Sequence, residues 1–284
     1  MLTLNTITAT RQQVRDWKRQ GLRVGFVPTM GNLHAGHIAL VEEARKHADK
    51  VVASVFVNPT QFGPTEDFDA YPRTLEADGE KLAAAGTDLL FAPSVEEMYP
   101  QTNLTWVDVD RIGDHLCGAS RPGHFRGVST VVSKLFNIVE PDIACFGEKD
   151  YQQLAVIRRM VSDLCFAVKI IGLATVREAD GLAMSSRNGY LNESERSLAP
   201  QLYQHLCQAR DAILTGERDY PTLGVQFAKK LDTLGFQTDY FDVMNADTLA
   251  PASPQDQQLV IAAAARLGQT RLIDNLSLAI VRTP

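Results

Sequence analysis

Residues 22–57, LRVGFVPTMGNLHAGHIALVEEARKHADKVVASVFV, decide the reading of the fold. Leu22–Val27 is a short, mostly apolar run that Pro28 interrupts. From Gly36 to about Ala48, apolar residues recur at Ile38, Leu40, Val41 and Ala44, the period of a helix. Val51–Val57 is almost wholly apolar and holds four valines. Apolar runs on either side of a helix are the pattern of parallel strands buried on both faces. The stretch therefore reads as a β-α-β unit. Its ligand end is the loop that leaves the first strand and opens the helix.

The alternation continues outward from this unit. Leu75–Ala85 reads as a helix, Asp88–Ala92 as a strand, Val128–Val139 as a helix and Asp142–Phe146 as a strand. A helix over Tyr151–Leu164 and a strand over Ala167–Leu173 follow. Repeated alternation of this kind implies an open parallel sheet with right-handed crossovers. After about residue 175 the pattern changes. Glu193–Thr215 and Pro221–Leu234 read as two helices, and Phe236–Met244, Gln258–Ala265 and Thr270–Asn275 as grouped strands, with a surface loop at 250–257. The expected fold class is α/β: a doubly wound parallel-sheet (Rossmann-like) N-terminal domain over residues 1–175, and a smaller α+β C-terminal lid domain over residues 176–284. The boundary falls within 174–190.

Composition excludes several function classes. The chain has 284 residues, enough for one large domain or two of ordinary size. With 45% hydrophobic and 22% charged residues, it can bury a core and has no signature of disorder. A net charge of -6 without a basic stripe argues against a nucleic-acid partner and gives no sign of a membrane surface. No basic leader with an apolar run opens the chain, and no stretch approaches the roughly 18 apolar residues of a spanning helix. Cys117, Cys145, Cys165 and Cys207 form no Cys-x-x-Cys pair. Cys145 and Cys165 lie in apolar runs and read as reduced core residues of a cytoplasmic protein.

The residues able to carry chemistry cluster after the expected strands. Pro28–His37 contains neither Gly-x-Gly-x-x-Gly nor Gly-x-x-x-x-Gly-Lys-Ser/Thr. Helix N-termini offer main-chain N–H groups and a partial positive charge to phosphate. This one adds His34 and His37, three residues apart on one side of the first turn, and Gly36, which leaves room for a nucleotide. A surface role for the two histidines weighs equally on this segment alone; a metal role lacks Cys, Asp or Glu partners at ligand spacing. Met184-Ser185-Ser186-Arg187-Asn188, between Gly181 and Gly189, suits either a lid over a triphosphate or an ordinary linker. Phe146–Gln153 supplies Lys149 to neutralise phosphate and Gln153 to hydrogen-bond a polar substrate, with Asp150 as ligand contact or helix cap. Asn58 and Gln61 offer neutral amides, although Asn58-Pro59 also suits a turn. Arg121–Gly127 reads as a basic loop before a helix, facing phosphate, a substrate carboxylate or surface acids.

His-x-Gly-His after the first strand, paired with the Met-Ser-Ser-Arg loop after the last, resembles the signature of the adenylyl-transferring superfamily. More closely, the segments VPTMGNLHAGH, SVFVNPTQFG, YPRTLEAD, ASRPGHFRGVSTVVSKLFNIVEPDIACFGEKDYQQL, READGLAMSSRNGYL and TRLIDN, spread over 27–275, resemble the pantoate–β-alanine ligase family. The resemblance implies a cytoplasmic homodimer that joins (R)-pantoate to β-alanine through a pantoyl adenylate, taking ATP to AMP and pyrophosphate with Mg²⁺. It implies ATP contacts at Met30, Gly31, Asn32, Leu33, His34, Ala35, Gly36 and His37, at Gly147, Glu148, Lys149 and Asp150, and at Val176, Met184, Ser185, Ser186 and Arg187. His37 is the implied proton donor. Gln61 and Gln153 match pantoate ligands, and Gln61 also lies at the β-alanine site. Ala35 departs from the acid that many relatives carry there. Charge stabilisation in the adenylylation step then falls to His34, His37, Lys149 and Arg187. A nucleotidylyltransferase that passes AMP to a phosphate, and a nucleotide-binding module without turnover, are the rival readings.

Overall fold

The computed structural model describes residues 1–64 and 66–280. Two compact units are formed. The first comprises Met1–Asp110, Arg121–Glu148 and Gln153–Ala174; the second comprises Arg111–Ser120, Lys149–Gln152 and the chain from Thr175 onward. Besides the chain from Thr175, the second unit takes in the two short segments 111–120 and 149–152. Gln152 explains part of this: its Nε2 donates to the carbonyls of Ile112 and His115, at 2.8 and 2.7 Å, and its Oε1 accepts from the Cys117 N–H.

Six strands build the first unit: β1 (Leu2–Leu4), β2 (Val24–Thr29), β3 (Lys50–Val55), β4 (Leu89–Phe91), β5 (Ile143–Gly147) and β6 (Lys169–Leu173). All neighbours are parallel, in the order β1-β4-β3-β2-β5-β6. The chain builds outward from β2 through β3 to β4, then returns to place β5 on the other side of β2. The strand order therefore reverses between β2 and β5, and ligands of such sheets bind outside the carboxyl ends of the strands at that point. Val27, Val41, Ala44, Val51, Ala53, Leu82, Leu90, Ile143 and Cys145 form one buried cluster in this unit. β1 and the helix Ile7–Arg19 were not legible in the residue pattern: β1 has only three residues, and the helix buries only Thr10 and Val14.

In the second unit, β7 (Gln237–Asn245), β8 (Gln258–Leu267) and β9 (Thr270–Ala279) form an antiparallel meander. The β8–β9 register closes at Leu267↔Thr270 around a two-residue turn. Its core gathers Leu202, Leu206, Ile213, Leu223, Phe227, Leu231, Phe241, Leu259, Ile261 and Leu272.

Four expectations are corrected. Pro28 does not end β2, which pairs with β3 through Thr29↔Val55. The Val24 carbonyl accepts from Asp142, so by alternation Pro28 faces the β5 side, where pairing ends at Phe26↔Ala144 and no N–H is required of it. The helix expected over 193–215 is two, Glu193–Leu198 and Gln201–Leu214, separated at Pro200. The helix expected from Val128 begins at His124, so His124 to Gly127 belong to a helix and not to a basic loop. Cys165 is exposed. It takes the left-handed position (φ 54°) after the helix Tyr151–Asp163, where the Phe166 N–H caps the Val161 carbonyl. Cys145 is a core residue as expected, and burial, aided by Glu43, pushes its thiol up to about 12.

Candidate functional site

The loop leaving β2 carries two consecutive left-handed residues, Gly31 (φ 86°) and Asn32 (φ 49°). Glycine is favoured at the first because no Cβ resists that backbone. An Asp78 carboxylate holds this turn. Its Oδ2 accepts from the Asn32 N–H at 2.9 Å and from the Thr74 hydroxyl at 3.0 Å, and its Oδ1 accepts from the Leu33 N–H at 2.8 Å. Lys81 Nζ donates to the Leu33 carbonyl at 2.7 Å. Asp78 is fully buried in the helix Leu75–Ala84. It lies four residues before the buried Leu82, so an acid on an apolar stripe was the available and overlooked signal. Asp78→Asn leaves one acceptor for two main-chain donors. It is expected to destabilise the first unit by about 2 kcal/mol, seen as a lower urea midpoint.

The helix Ala35–His47 starts on a reciprocal cap between the two histidines. His34 Nδ1 accepts from the Gly36 N–H at 3.1 Å, and His37 Nδ1 accepts from the His34 N–H at 3.3 Å. The rings lie 4.1 Å apart, centroid to centroid. Because each Nδ1 is an acceptor, each neutral imidazole carries its proton on Nε2. The expectation of open main-chain donors at this helix start is corrected. The N–H groups of Gly31, Asn32, Leu33, His34, Gly36 and His37 all have acceptors inside the chain.

Gln61 lies just beyond the neighbouring strand β3, in the 3₁₀ turn Pro59–Gln61 that Asn58 caps. Asn58 is buried, and its Oδ1 accepts from Tyr99 Oη at 2.9 Å and Thr60 Oγ1 at 3.0 Å. That fixes its Nδ2 as donor to Gln61 Oε1 at 3.0 Å. Asn58 is thus a structural amide that orients Gln61. The Gln61 Nε2 end points to Met30, at 3.3 Å from Sδ, which brings Gln61 and the β2 loop together. Gly127 packs against this turn so closely that a Cβ would meet the Thr60 carbonyl oxygen at 2.2 Å.

Arg121 and His124 hold the same turn from its other side. His124 Nδ1 donates to the Gln61 carbonyl at 2.8 Å, while Arg121 binds both carboxylate oxygens of Glu66 at 2.6 Å. Burial alone would raise the Glu66 carboxyl, but the Arg121 bonds outweigh it and hold the group below its ordinary 4.5. A lowered carboxyl contributes stability above its unfolded value and loses it as pH falls through the folded one. The stability gap between the native chain and Arg121→Gln, read by urea titration, is therefore expected to be constant above pH 4.5 and to shrink below it.

Gly147 ends β5, the strand across the reversal from β2, Glu148 follows it, and Gln153 is half-buried in the helix Tyr151–Asp163 of the same sheet unit. Lys149 and Asp150 belong to the second unit, with Lys149 Nζ 3.7 Å from the Asp150 carboxylate. Val176 and Met184–Arg187 also belong there. They flank a hairpin-like turn in which the Met184 N–H donates to the Val176 carbonyl at 3.0 Å, and Arg177 bridges Ala183. Met184, Ser185, Ser186 and Arg187 are all half-buried. Among the described residues no group of three or more His, Cys, Asp or Glu could hold a metal ion.

Comparison with known proteins agrees over the whole length. The model of the family described as pantoate-beta-alanine ligase matches residues 2–277. A pantothenate synthetase of Alcanivorax borkumensis is 65% identical over 283 residues, covering 99% of both chains. The crystal structure of pantothenate synthetase from Thermus thermophilus is 48% identical, with a TM-score of 0.89 over 97% of this chain and 99% of that one. A pantoate-beta-alanine ligase from Francisella tularensis, solved in complex with beta-gamma ATP and beta-alanine, is 35% identical, with a TM-score of 0.82 over 97% of each chain. The chain belongs to the pantoate–β-alanine ligase family.

Proposed function

We propose that this chain is a pantothenate-forming ligase that condenses (R)-pantoate with β-alanine at the expense of ATP, releasing AMP and pyrophosphate. The observation that carries the reading is the loop after β2. Two imidazoles whose Nδ1 atoms close the helix cap, so that each neutral ring carries its proton on Nε2, stand at the strand-order reversal, beside a glutamine whose amide is held in one orientation.

The chemistry follows from those groups. A carboxylate is a poor acyl electrophile, so pantoate is first adenylylated: its carboxylate attacks the α-phosphorus and pyrophosphate leaves. Charge grows on the phosphoryl and leaving oxygens, where Nε2–H donors of His34 and His37 and the cations Lys149 and Arg187 stabilise it. The amine of β-alanine then attacks the acyl carbon and AMP departs. ATP is assigned to Met30–His37, Gly147–Asp150, Val176 and Met184–Arg187. Mg²⁺ is assigned to the ATP phosphates, since it binds commonly through substrate phosphates and few protein ligands. Pantoate is assigned to Gln61 and Gln153, and β-alanine to Gln61. Orientation of the reactants accounts for roughly 7–11 kcal/mol of the barrier on this scheme.

Formation of AMP and pantothenate with all three substrates tests the reaction, and pantoate-dependent ATP–pyrophosphate exchange isolates the adenylate. Exchange that requires a phosphorylated acceptor instead would select the nucleotidylyltransferase. Gln61→Ala is expected to raise the KM for pantoate about tenfold or more through the lost hydrogen bond to a charged group, with the KM for ATP little changed. Equal effects on both constants would remove Gln61 from the pantoate site. A cytoplasmic homodimer completes the proposal, and sedimentation equilibrium at twice the chain mass is its test. No helix among the described residues is long and apolar enough to cross a membrane.

A further inference from the structure

The second unit contains two chain segments assigned to ATP, one at Lys149–Asp150 and one at Val176–Arg187, separated by more than twenty residues of sequence. Neighbouring side chains on β9 hold both. Asp274 is buried, and its carboxylate takes the Arg177 guanidinium in a two-point bond, at 2.6 Å to Nη1 and 2.9 Å to Nη2. Arg177 is thereby fixed as an organiser of the second segment. Its Nη1 also donates to the Gly181 carbonyl at 3.0 Å, and its guanidinium lies 3.5 Å over the Tyr203 ring. The Asn275 Nδ2 donates to the Lys149 carbonyl at 2.8 Å, and the Asn275 N–H donates to Asp274 Oδ1 at 2.8 Å. One residue thus ties the first segment to β9 and its neighbour ties the second, with a hydrogen bond joining the two anchors.

We propose that Asp274 and Asn275 are positioning residues for adenylylation, setting the register between the Lys149 segment and the Val176–Arg187 turn. The inference rests on the assignment of those segments to ATP and adds to it what holds them in place. A two-point bond between planar groups restricts rotation as well as distance, and a donor on a main-chain carbonyl fixes where the following side chain starts. Transition-state stabilisation depends on such preorganisation, so a shift of either segment acts on ATP and on turnover. Burial raises the Asp274 carboxyl above its ordinary value, and the Arg177 bonds act against that rise.

Pantoate-dependent exchange in Asn275→Leu, which keeps the volume and removes the donor, tests the proposal, with Asp274→Asn as the partner variant and Lys149→Ala as control. The expected result for Asn275→Leu is a fall in exchange kcat and a rise in the KM for ATP, each about tenfold, with an unchanged KM for pantoate. Asp274→Asn moves the same constants; should its broken ion pair unfold the chain, Asn275→Leu decides alone. A purely structural role would lower the melting temperature without separating the two KM values, and that result overturns the proposal. Normal exchange in Asn275→Leu together with lost exchange in Lys149→Ala overturns it while leaving the ATP assignment standing. Normal exchange in Lys149→Ala removes the ATP assignment and the proposal with it.

Discussion

His37→Ala is expected to slow pantoate-dependent ATP–pyrophosphate exchange by about two to three orders of magnitude, the loss typical of one preorganised donor to a developing oxyanion. The physical basis is the direction of the ring. His37 Nδ1 is committed as acceptor to the His34 N–H, so the imidazole proton sits on Nε2 and cannot tautomerise without breaking the helix cap. A donor held in this way needs no reorganisation when charge develops on a phosphoryl oxygen. The substitution also removes the cap, which by itself costs about 1 kcal/mol of stability. His37→Asn separates the two effects, because its side-chain oxygen can still accept from the cap N–H. The expected outcome is a melting temperature closer to that of the native chain than His37→Ala shows, with exchange still strongly reduced. Exchange near the native rate in both variants would remove His37 from the reaction.

The second large effect is expected at Lys149. Lys149→Ala should also lower the exchange rate by about two to three orders of magnitude, because a cation that meets charge growing on a phosphoryl group stabilises the transition state more than the ground state. Lys149 has a side chain only 19% exposed, with the Asp150 carboxylate 3.7 Å from its Nζ. Its main-chain carbonyl is anchored by Asn275, so the side chain departs from a fixed point. Lys149→Arg is expected not to restore the rate, since a planar fork does not reproduce a compact ammonium on the same stem. Single-turnover measurement of pantoyl adenylate formation locates the loss: a normal adenylylation rate with slow overall turnover would place Lys149 in the amine step instead.

The residue pattern disclosed what depends on neighbours in the chain. Parallel strands buried on both faces appear as unbroken apolar runs, so β2, β3, β4 and β5 and the helices between them were legible, as were the half-buried edge strand β6 and the separate meander of β7, β8 and β9. The two histidines and the Met184–Arg187 turn were legible for the same reason, because the chemistry is written in short spacings. The edge strand β1 was not. β1 buries too little for a periodic signal, and Pro28 counts against a strand until it is known which neighbour its missing N–H faces.

Tertiary structure decided everything that rests on partners distant in sequence. Asp78 takes the amides of Asn32 and Leu33 from 46 and 45 residues away. Gln152 draws the 111–120 segment into the second unit, and Asn275 reaches back to the Lys149 carbonyl. Hydrogen bonds between such residues form only after the sheets have brought them together. Local propensity carries no trace of them, whereas the tautomers of His34 and His37 follow from a helix cap closed over two and three residues.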